Sequence, residues 1–171
     1  TSDEEARRFN SLNMLKNYID QNYSSNNVVV LGDYNDLLTD DNLNNVFVQF
    51  LNDSNNYIFA DLQIANGSSL NWSFPSWPSH IDHILISDEL IGSLNNGIIE
   101  TIRIDNYLNG GFNTYDLIIS DHLPVGISLN FSNNVSGCTD SIALNYNASA
   151  SVDDGSCLYG TVSYTHLRAH E

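Results

Sequence analysis

Three short strings constrain this chain more than any other feature of its sequence. Each joins an apolar run, typical of a strand, to acidic, amide or imidazole side chains at the end of that strand. In chain order they are VVVLGDYND (28–36), SHIDHIL (79–85) and SDHLPV (120–125). We therefore expect strands that deliver polar groups to the end of a sheet.

The residues in these strings can form a chemical site. Alternation along a strand sends Asp33 and Asn35 to the same side, although Gly-Asp-x-Asn also occurs in ordinary turns. Asp82 lies in an apolar strand, where an unpartnered carboxylate would be costly, and His122 is its natural partner. An aspartate that accepts from an imidazole N–H selects one tautomer of that ring. The alternative for Asp121 and His122 is a surface turn.

Hydrophobic patterning predicts most of the secondary structure. A helix is expected from Ser2 to about Asn22, with Ser2 and Glu5 spaced as a capping box. Further along we expect a strand at 28–31 buried on both faces, a helix at about 41–51, an irregular loop at 66–79, strands at 81–86 and 98–104, and apolar segments at 117–119 and 124–131 beside the third string.

The order and separation of the three strings resemble the second half of the endonuclease/exonuclease/phosphatase superfamily. These metal-dependent phosphoesterases are typified by pancreatic-type deoxyribonuclease, apurinic endonucleases and sphingomyelinases. The resemblance covers roughly residues 3 to 131. It implies an α/β fold, with this chain as the C-terminal half of a deoxyribonuclease-like two-sheet α/β sandwich. It also implies a missing N-terminal half, inactivity of this fragment alone, and a monomer when complete.

The resemblance assigns a role to each residue of the candidate site. Asp33 would orient or deprotonate the attacking water, and Asn35 would hydrogen-bond the phosphate. Asp82 and His122 would be catalytic as a pair, and Asp121 would be the metal ligand. Mg²⁺ is the expected cofactor because a few carboxylates and substrate oxygens can hold it, with Mn²⁺ or Ca²⁺ as alternatives.

Aromatic side chains on the loop at 66–79 are candidate substrate contacts. Trp72, Phe74 and Trp77 could stack on a base or a sugar, and the alternative is that they anchor the loop to the body. His80 could reach a phosphate from the end of the same loop, or could be an exposed loop histidine.

Two residues next to the candidate site residues are expected to have structural roles. His83 alternates with Asp82 along its strand, which predicts a packing or surface role. Asp36 extends the first string and is predicted to cap the segment after it rather than to bind metal.

Charge bears on the choice of substrate. The chain has 21 acidic and 5 basic side chains, for a formal net charge of −16, which argues against a broad cationic surface for nucleic acid. A bound divalent cation would supply local positive charge, so a nuclease remains the leading hypothesis. The alternatives are a phosphatase or sphingomyelinase-like enzyme acting on a small or lipid substrate, and a non-catalytic surface binding module.

The composition changes near Val135, which predicts segments at 1–133, 134–160 and 161–171. Residues 137–157 resemble a small module near the C-termini of secreted proteins of the Bacteroidetes type. That resemblance implies a disulfide between Cys138 and Cys157 and a secreted or cell-surface location, against the alternative of two free thiols in a disordered tail. The last segment, with His166 and His170, is predicted to be non-native. No apolar run is long enough to span a membrane.

Overall fold

The computed structural model describes residues 3–41, 43–95, 97–131 and 135–160. The chain divides into two compact units, Thr1–Asn130 and Phe131–Glu171. Ser2 of the predicted capping box and the predicted tail at 161–171 lie outside the described residues. No described helix combines the length and the apolar character that crossing a membrane requires.

The first unit is a mixed α/β structure in which short strands alternate with helices. Its helices are α1 (Asp3–Asn22), α2 (Val48–Leu51), α3 (Leu62–Ala65), α4 (Ile91–Leu94) and α5 (Phe112–Ile118). Its strands are β1 (Val29–Asp33), β2 (Tyr57–Phe59), β3 (Asp82–Ser87), β4 (Ile99–Thr101) and β5 (Val125–Ile127). Short 3₁₀ turns lie at Ser69–Asn71, Asp88–Leu90 and Ile104–Tyr107.

The main sheet places the first two sequence strings side by side. Its order is β1-β3-β2, and both pairings are antiparallel. Asp33 pairs with Asp82 in the register of β1 and β3, so two carboxylates lie at the same end of the sheet. A second antiparallel sheet joins β4 to β5, which leads out of the third string.

Strand β3 separates two apolar clusters, because successive side chains of a strand point to opposite faces. Leu85 belongs to an aromatic-rich cluster with Phe47 and Phe59, whereas Ile84 and Ile86 face the other cluster. Each fully buried side chain of this size stabilises the fold by about 1.5–3 kcal/mol. The predicted strand at 81–86 is thus confirmed as the central strand of the sheet.

The prediction that the first strand is buried on both faces is wrong. Leu31 is 65% exposed and Val29 is 39% exposed, whereas Val30 packs against the cluster that contains Leu12 and Ile19 of α1. Strand β1 lies at one end of the strand order, and the described residues cover one of its faces. The apolar run alone could not show this, because composition does not state how many faces are covered.

One other local prediction differs from the structure, and one segment left unassigned is helical. Residues 117 and 118, from the apolar segment at 117–119, belong to helix α5. This helix follows Gly110 and Gly111, whose φ angles of 102° and 60° suit glycine, and buries Tyr115. The predicted helix at 41–51 is limited to α2, and turns precede it.

The second unit is held by a disulfide rather than by a large core. Its two-residue strands β6 (Ser136–Gly137) and β7 (Val152–Asp153) pair in parallel. The Cys138–Cys157 disulfide is present, which confirms the predicted pairing. Cys138 and Ala143 are the buried apolar residues described in this unit. A unit of this size therefore depends on its covalent link.

Replacing both cysteines with alanine should unfold the second unit while leaving the first unit folded. The bridge closes a separation of 19 residues, for which the chain-entropy model gives about 3 kcal/mol. Hydrogen exchange should show loss of amide protection at 135–160 and unchanged protection in β3. Ser141→Ala, an exposed change in the same unit, is the control. Full protection in the double variant would contradict this expectation.

Candidate functional site

Residues from all three sequence strings meet at one end of the main sheet. Asp33, Asp82 and His122 each offer a ligand atom, and these atoms all lie within 4.8 Å of one another. Asp33 is exposed, and the other two residues are half-buried. The group therefore lies where the fold is open to solvent.

The predicted pairing of Asp82 with His122 is confirmed. His122 Nδ1 lies 2.7 Å from Asp82 Oδ2, a hydrogen bond in which the ring donates to the carboxylate. The bond leaves Nε2 as the ring nitrogen able to accept a proton or, when protonated, to donate to an anion. No hydrogen-bond partner for Nε2 lies within the described part of the chain.

Neighbouring groups fix the position of the His122 ring and backbone. Phe74 stacks on the ring, with centroids 4.7 Å apart and planes inclined by 29°. The His122 N–H donates to Ser120 Oγ at 3.0 Å, and the Tyr115 hydroxyl donates to the His122 carbonyl at 3.2 Å. Phe74 therefore fixes the ring, and Ser120 and Tyr115 fix the backbone that carries it.

Ser73 links the second and third strings, a role that the sequence patterns did not predict. It is completely buried, and its Oγ accepts from the backbone N–H groups of Ile81 and Asp82, both at 3.3 Å. Its carbonyl accepts from the N–H of Leu123 at 2.7 Å. Ser73 therefore sets the distance between Asp82 and the segment that carries His122.

Asn35 lies in a tight turn beside Asp33. Its φ of 53° is in the left-handed region, which asparagine tolerates better than most residues. Its N–H donates to Asp33 Oδ1 at 2.8 Å. The Gly-Asp-x-Asn string thus does form a turn, one that extends from the strand end and leaves both Asp33 and Asn35 exposed.

Asp36 ties the turn to helix α1 instead of capping a helix. The Arg8 Nε donates to Asp36 Oδ2 at 2.8 Å, and the aspartate side chain is 5% exposed. Its other oxygen accepts from the N–H of Leu37 at 3.0 Å, in a turn rather than at a helix start. The capping prediction is therefore wrong, because a partner distant in sequence takes the carboxylate.

A second, buried network lies beneath the site and was not predicted. Asp61 Oδ2 lies 2.9 Å from His80 Nε2 and 2.7 Å from His83 Nδ1, and Asp61 Oδ1 accepts from the N–H of Ile84 at 2.7 Å. His83 Nε2 lies 3.0 Å from the carbonyl of Asp36, next to the Asn35 turn. The network thus connects β3 and the turn after β2 to the turn that carries Asn35.

Burial overturns both alternatives given for His80 and confirms the packing role predicted for His83. His80 and His83 are each 1% exposed. His80 Nδ1 accepts from the Ser73 N–H at 3.3 Å, so both of its nitrogens have partners inside the protein and neither can reach a substrate phosphate. His83 has a packing role, but a polar one. The sequence signal was Asp61 itself, a carboxylate beside an apolar run that required buried partners.

The network holds Asp61 as a carboxylate. Burial by itself would raise the pKa of Asp61, but hydrogen bonds from His80 and His83, with the His83 charge and the Ile84 N–H, hold this pKa at about 2. Both ring nitrogens of His83 therefore face acceptors inside the fold, Nδ1 the Asp61 carboxylate and Nε2 the Asp36 carbonyl.

Geometry separates this network from a metal site. Its oxygen–nitrogen distances of 2.7 and 2.9 Å are those of hydrogen bonds. Two ligands each about 2.1 Å from one tetrahedral zinc ion would lie roughly 3.4 Å apart. By the same reasoning the His122 Nδ1 and Asp82 Oδ2 atoms pair with each other. Oxygens of Asp33 and Asp82 are then the atoms that could hold a cation.

The structure places the remaining predicted residues in different environments. Asp121 is exposed, and it does not belong to the three-residue group. Trp77 is 78% exposed, as a stacking residue would have to be. Trp72 is half-buried and its indole N–H donates to the Ile64 carbonyl at 3.1 Å, which fits the anchoring alternative.

Comparison with known proteins adds no assignment. Neither the family models, nor the curated proteins, nor the solved structures contain a match to this chain. The superfamily resemblance therefore stays a prediction, and the proposed function depends on the geometry of the site.

Proposed function

We propose that the first unit carries the active site of a divalent-metal-dependent phosphodiester hydrolase. The observation that supports this is the convergence of Asp33 with the Asp82–His122 pair at an open sheet end, beside the exposed Asn35. A deoxyribonuclease-like sandwich, of which this chain forms the C-terminal half, and secretion of the protein belong to the same proposal. The disulfide of the second unit supports secretion.

The side chains suit the steps of phosphate ester hydrolysis. Asp33 would orient or deprotonate the attacking water, and Asn35 would donate a hydrogen bond to the phosphate. Asp82 keeps the proton on His122 Nδ1, so Nε2 is directed to the substrate. A protonated His122 would stabilise the charge that develops on the phosphate oxygens, and the Asp82 carboxylate would stabilise that protonated ring.

The donor set fits a hard cation. Carboxylate oxygens of Asp33 and Asp82, with Asp121 next to His122 in sequence, are the ligand type that Mg²⁺ prefers, and Mn²⁺ or Ca²⁺ accept the same atoms. When bound, such an ion would neutralise phosphate charge and lower the pKa of a coordinated water.

The leading substrate is a nucleic acid, with cleavage of an endonuclease type. Trp77 supports this choice, because an exposed indole provides a stacking surface for a base. The second candidate is a small or lipid phosphate ester, which the net charge of −16 favours because such substrates need no long basic track.

Binding of Mn²⁺ tests the proposed centre in this chain directly. Wild-type protein should bind the ion with selective paramagnetic broadening of NMR signals from the Asn35 turn and the His122 ring. Asp33→Asn should weaken binding by about tenfold or more, since it removes a charged oxygen ligand. Asp116→Asn, an exposed change on α5, should bind like wild type. Equal affinity of the two variants would overturn the assignment of Asp33.

Hydrolysis is then assayed with Mg²⁺ and bis(p-nitrophenyl) phosphate, using this chain and a longer chain that contains it. The proposal expects the longer chain to release p-nitrophenol in a metal-dependent reaction that Asp33→Asn abolishes. Metal binding without hydrolysis in the longer chain would contradict the enzymatic proposal and favour a binding module.

A further inference from the structure

An open groove extends from the candidate site along helix α1. It has a volume of about 670 Å³. Arg7 and Ser11 of the helix line one side, and Tyr34 and Asn35 of the turn line the other. Asn35 also donates its N–H to Asp33, so the groove and the candidate active site share this turn.

The distribution of positive charge makes this groove unusual in an acidic protein. Three of the four described basic side chains are neutralised, since Arg8 pairs with Asp36, Lys16 with Asp20 and Asp53, and Arg103 with Asp105. Within the described residues Arg7 forms no ion pair. The remaining unneutralised cation therefore lines the groove that leads to Asn35.

The arrangement of the groove suits an anion rather than an apolar ligand. The ion pair between Arg8 and the buried Asp36 anchors α1 to the turn, which fixes the wall that carries Arg7. Asn35 adds an amide, whereas the Ser11 hydroxyl donates to the Arg7 carbonyl at 2.9 Å and is not a donor for the anion. Glu4 also lines the groove and lowers its positive potential. Removing the Glu4 charge should therefore raise the positive potential of the groove, whereas removing the Arg7 charge should lower it.

We propose that this groove binds a second phosphate of the substrate through Arg7, next to the phosphate that is cleaved. The inference rests on the proposed function and narrows its substrate class. A site for a neighbouring phosphate is useful for a chain of phosphodiesters, such as a single-stranded oligonucleotide, and offers nothing to an ester with one phosphate. Arginine suits this role because its planar guanidinium can donate two parallel hydrogen bonds to a phosphate.

Binding without turnover tests the groove separately from catalysis. The affinity of the full chain for a fluorescent single-stranded DNA octamer is measured in EDTA at several salt concentrations, with thymidine monophosphate as the competitor that carries one phosphate. Arg7→Gln should weaken octamer binding about five- to tenfold and reduce the slope of log affinity against log salt by about 0.7. Binding of thymidine monophosphate should stay within twofold.

The opposite charge change supplies the matched control. Glu4→Gln should tighten octamer binding two- to fivefold, whereas Glu100→Gln, an equal change at an exposed position outside the groove, should leave it within 1.5-fold. The Arg7 side-chain Nε–Hε signal should shift in NMR spectra when the octamer binds. Equal effects of the two glutamate variants, or no effect of Arg7→Gln, would overturn the inference.

The result that would reject the groove proposal differs from the result that would reject the enzymatic proposal. Arg7-dependent octamer binding, together with no Mg²⁺-dependent hydrolysis of phosphodiesters by the longer chain, would reject the enzymatic proposal and retain the groove. Hydrolysis of small esters without Arg7-dependent octamer binding would reject the groove and retain the enzyme.

Discussion

Replacing His122 with alanine should reduce metal-dependent phosphodiester hydrolysis by about a hundredfold to ten-thousandfold, the range over which a positioned acid–base group contributes. The reason is geometric, because Asp82 occupies Nδ1 and leaves Nε2 as the ring nitrogen available to the substrate. Asp82→Asn should reduce hydrolysis by nearly the same factor, since an amide can donate to the ring and favour the wrong tautomer. The two changes combined should cost little more than either alone.

The measurement is kcat and KM for bis(p-nitrophenyl) phosphate with Mg²⁺, using a preparation in which wild type is active. The loss should fall on kcat, and urea unfolding should show that the half-exposed His122 contributes little to stability. Asp116→Asn is the activity control. A His122→Ala protein that retains hydrolysis within threefold of wild type would remove His122 from the mechanism.

Replacing Asp61 with alanine should destabilise the first unit by about 3–5 kcal/mol, the usual cost of removing one partner from a buried pair of ionisable groups. Asp61 is fully buried, and its oxygens accept from two histidines and from one backbone N–H. The stability of Asp61→Asn should lie between those of the alanine variant and wild type, because the amide oxygen can still accept a hydrogen bond. Asp116→Asn should change the unfolding free energy by less than about 0.5 kcal/mol.

The same carboxylate predicts a dependence on pH with a definite sign. The pKa of Asp61 is about 2 in the fold and near 4 in an unfolded chain, so the charged form favours folding. Its stabilising contribution is complete above about pH 4 and is lost as the pH falls from about 4 toward 2. Urea unfolding followed by tryptophan fluorescence should show the gap between wild type and Asp61→Asn narrowing over that range. A gap that stays constant down to pH 2.5 would contradict the role of the Asp61 charge.

Local pattern was enough for part of the candidate site. Asp82 was assigned a partner because an apolar strand cannot hold a lone carboxylate, and His122 was the available group in the third string. The structure joins the two at 2.7 Å. The same reasoning applies to Asp61, whose partners were missed. His80 and His83 are close to Asp82 in the sequence, and the sequence pattern does not show which aspartate each histidine hydrogen-bonds.

The sequence was a poorer guide to where each helix and strand lies in the fold. The run at 28–31 has the composition of a strand covered on both faces, yet Leu31 is exposed because β1 lies at the end of the strand order. Residues 117 and 118 are apolar and would suit a strand, but they belong to α5, which is anchored through the buried Tyr115. Tertiary contacts decided both outcomes, because local preferences differ by less than packing contributes.

The sequence by itself determined helix α1, the central strand β3, the Cys138–Cys157 link and the partnership of Asp82 with His122. The helix and the strand can be inferred from periodicity, the Cys138–Cys157 link from the resemblance of residues 137–157 to a small secreted module, and the Asp82–His122 partnership from the cost of a buried charge. Only the tertiary structure decided that Asp33 pairs with Asp82 across β1 and β3, and that Asp61 binds two histidines beneath the Asn35 turn. These contacts join residues far apart in the chain, and their energies depend on burial and distance, which exist only once the chain has folded.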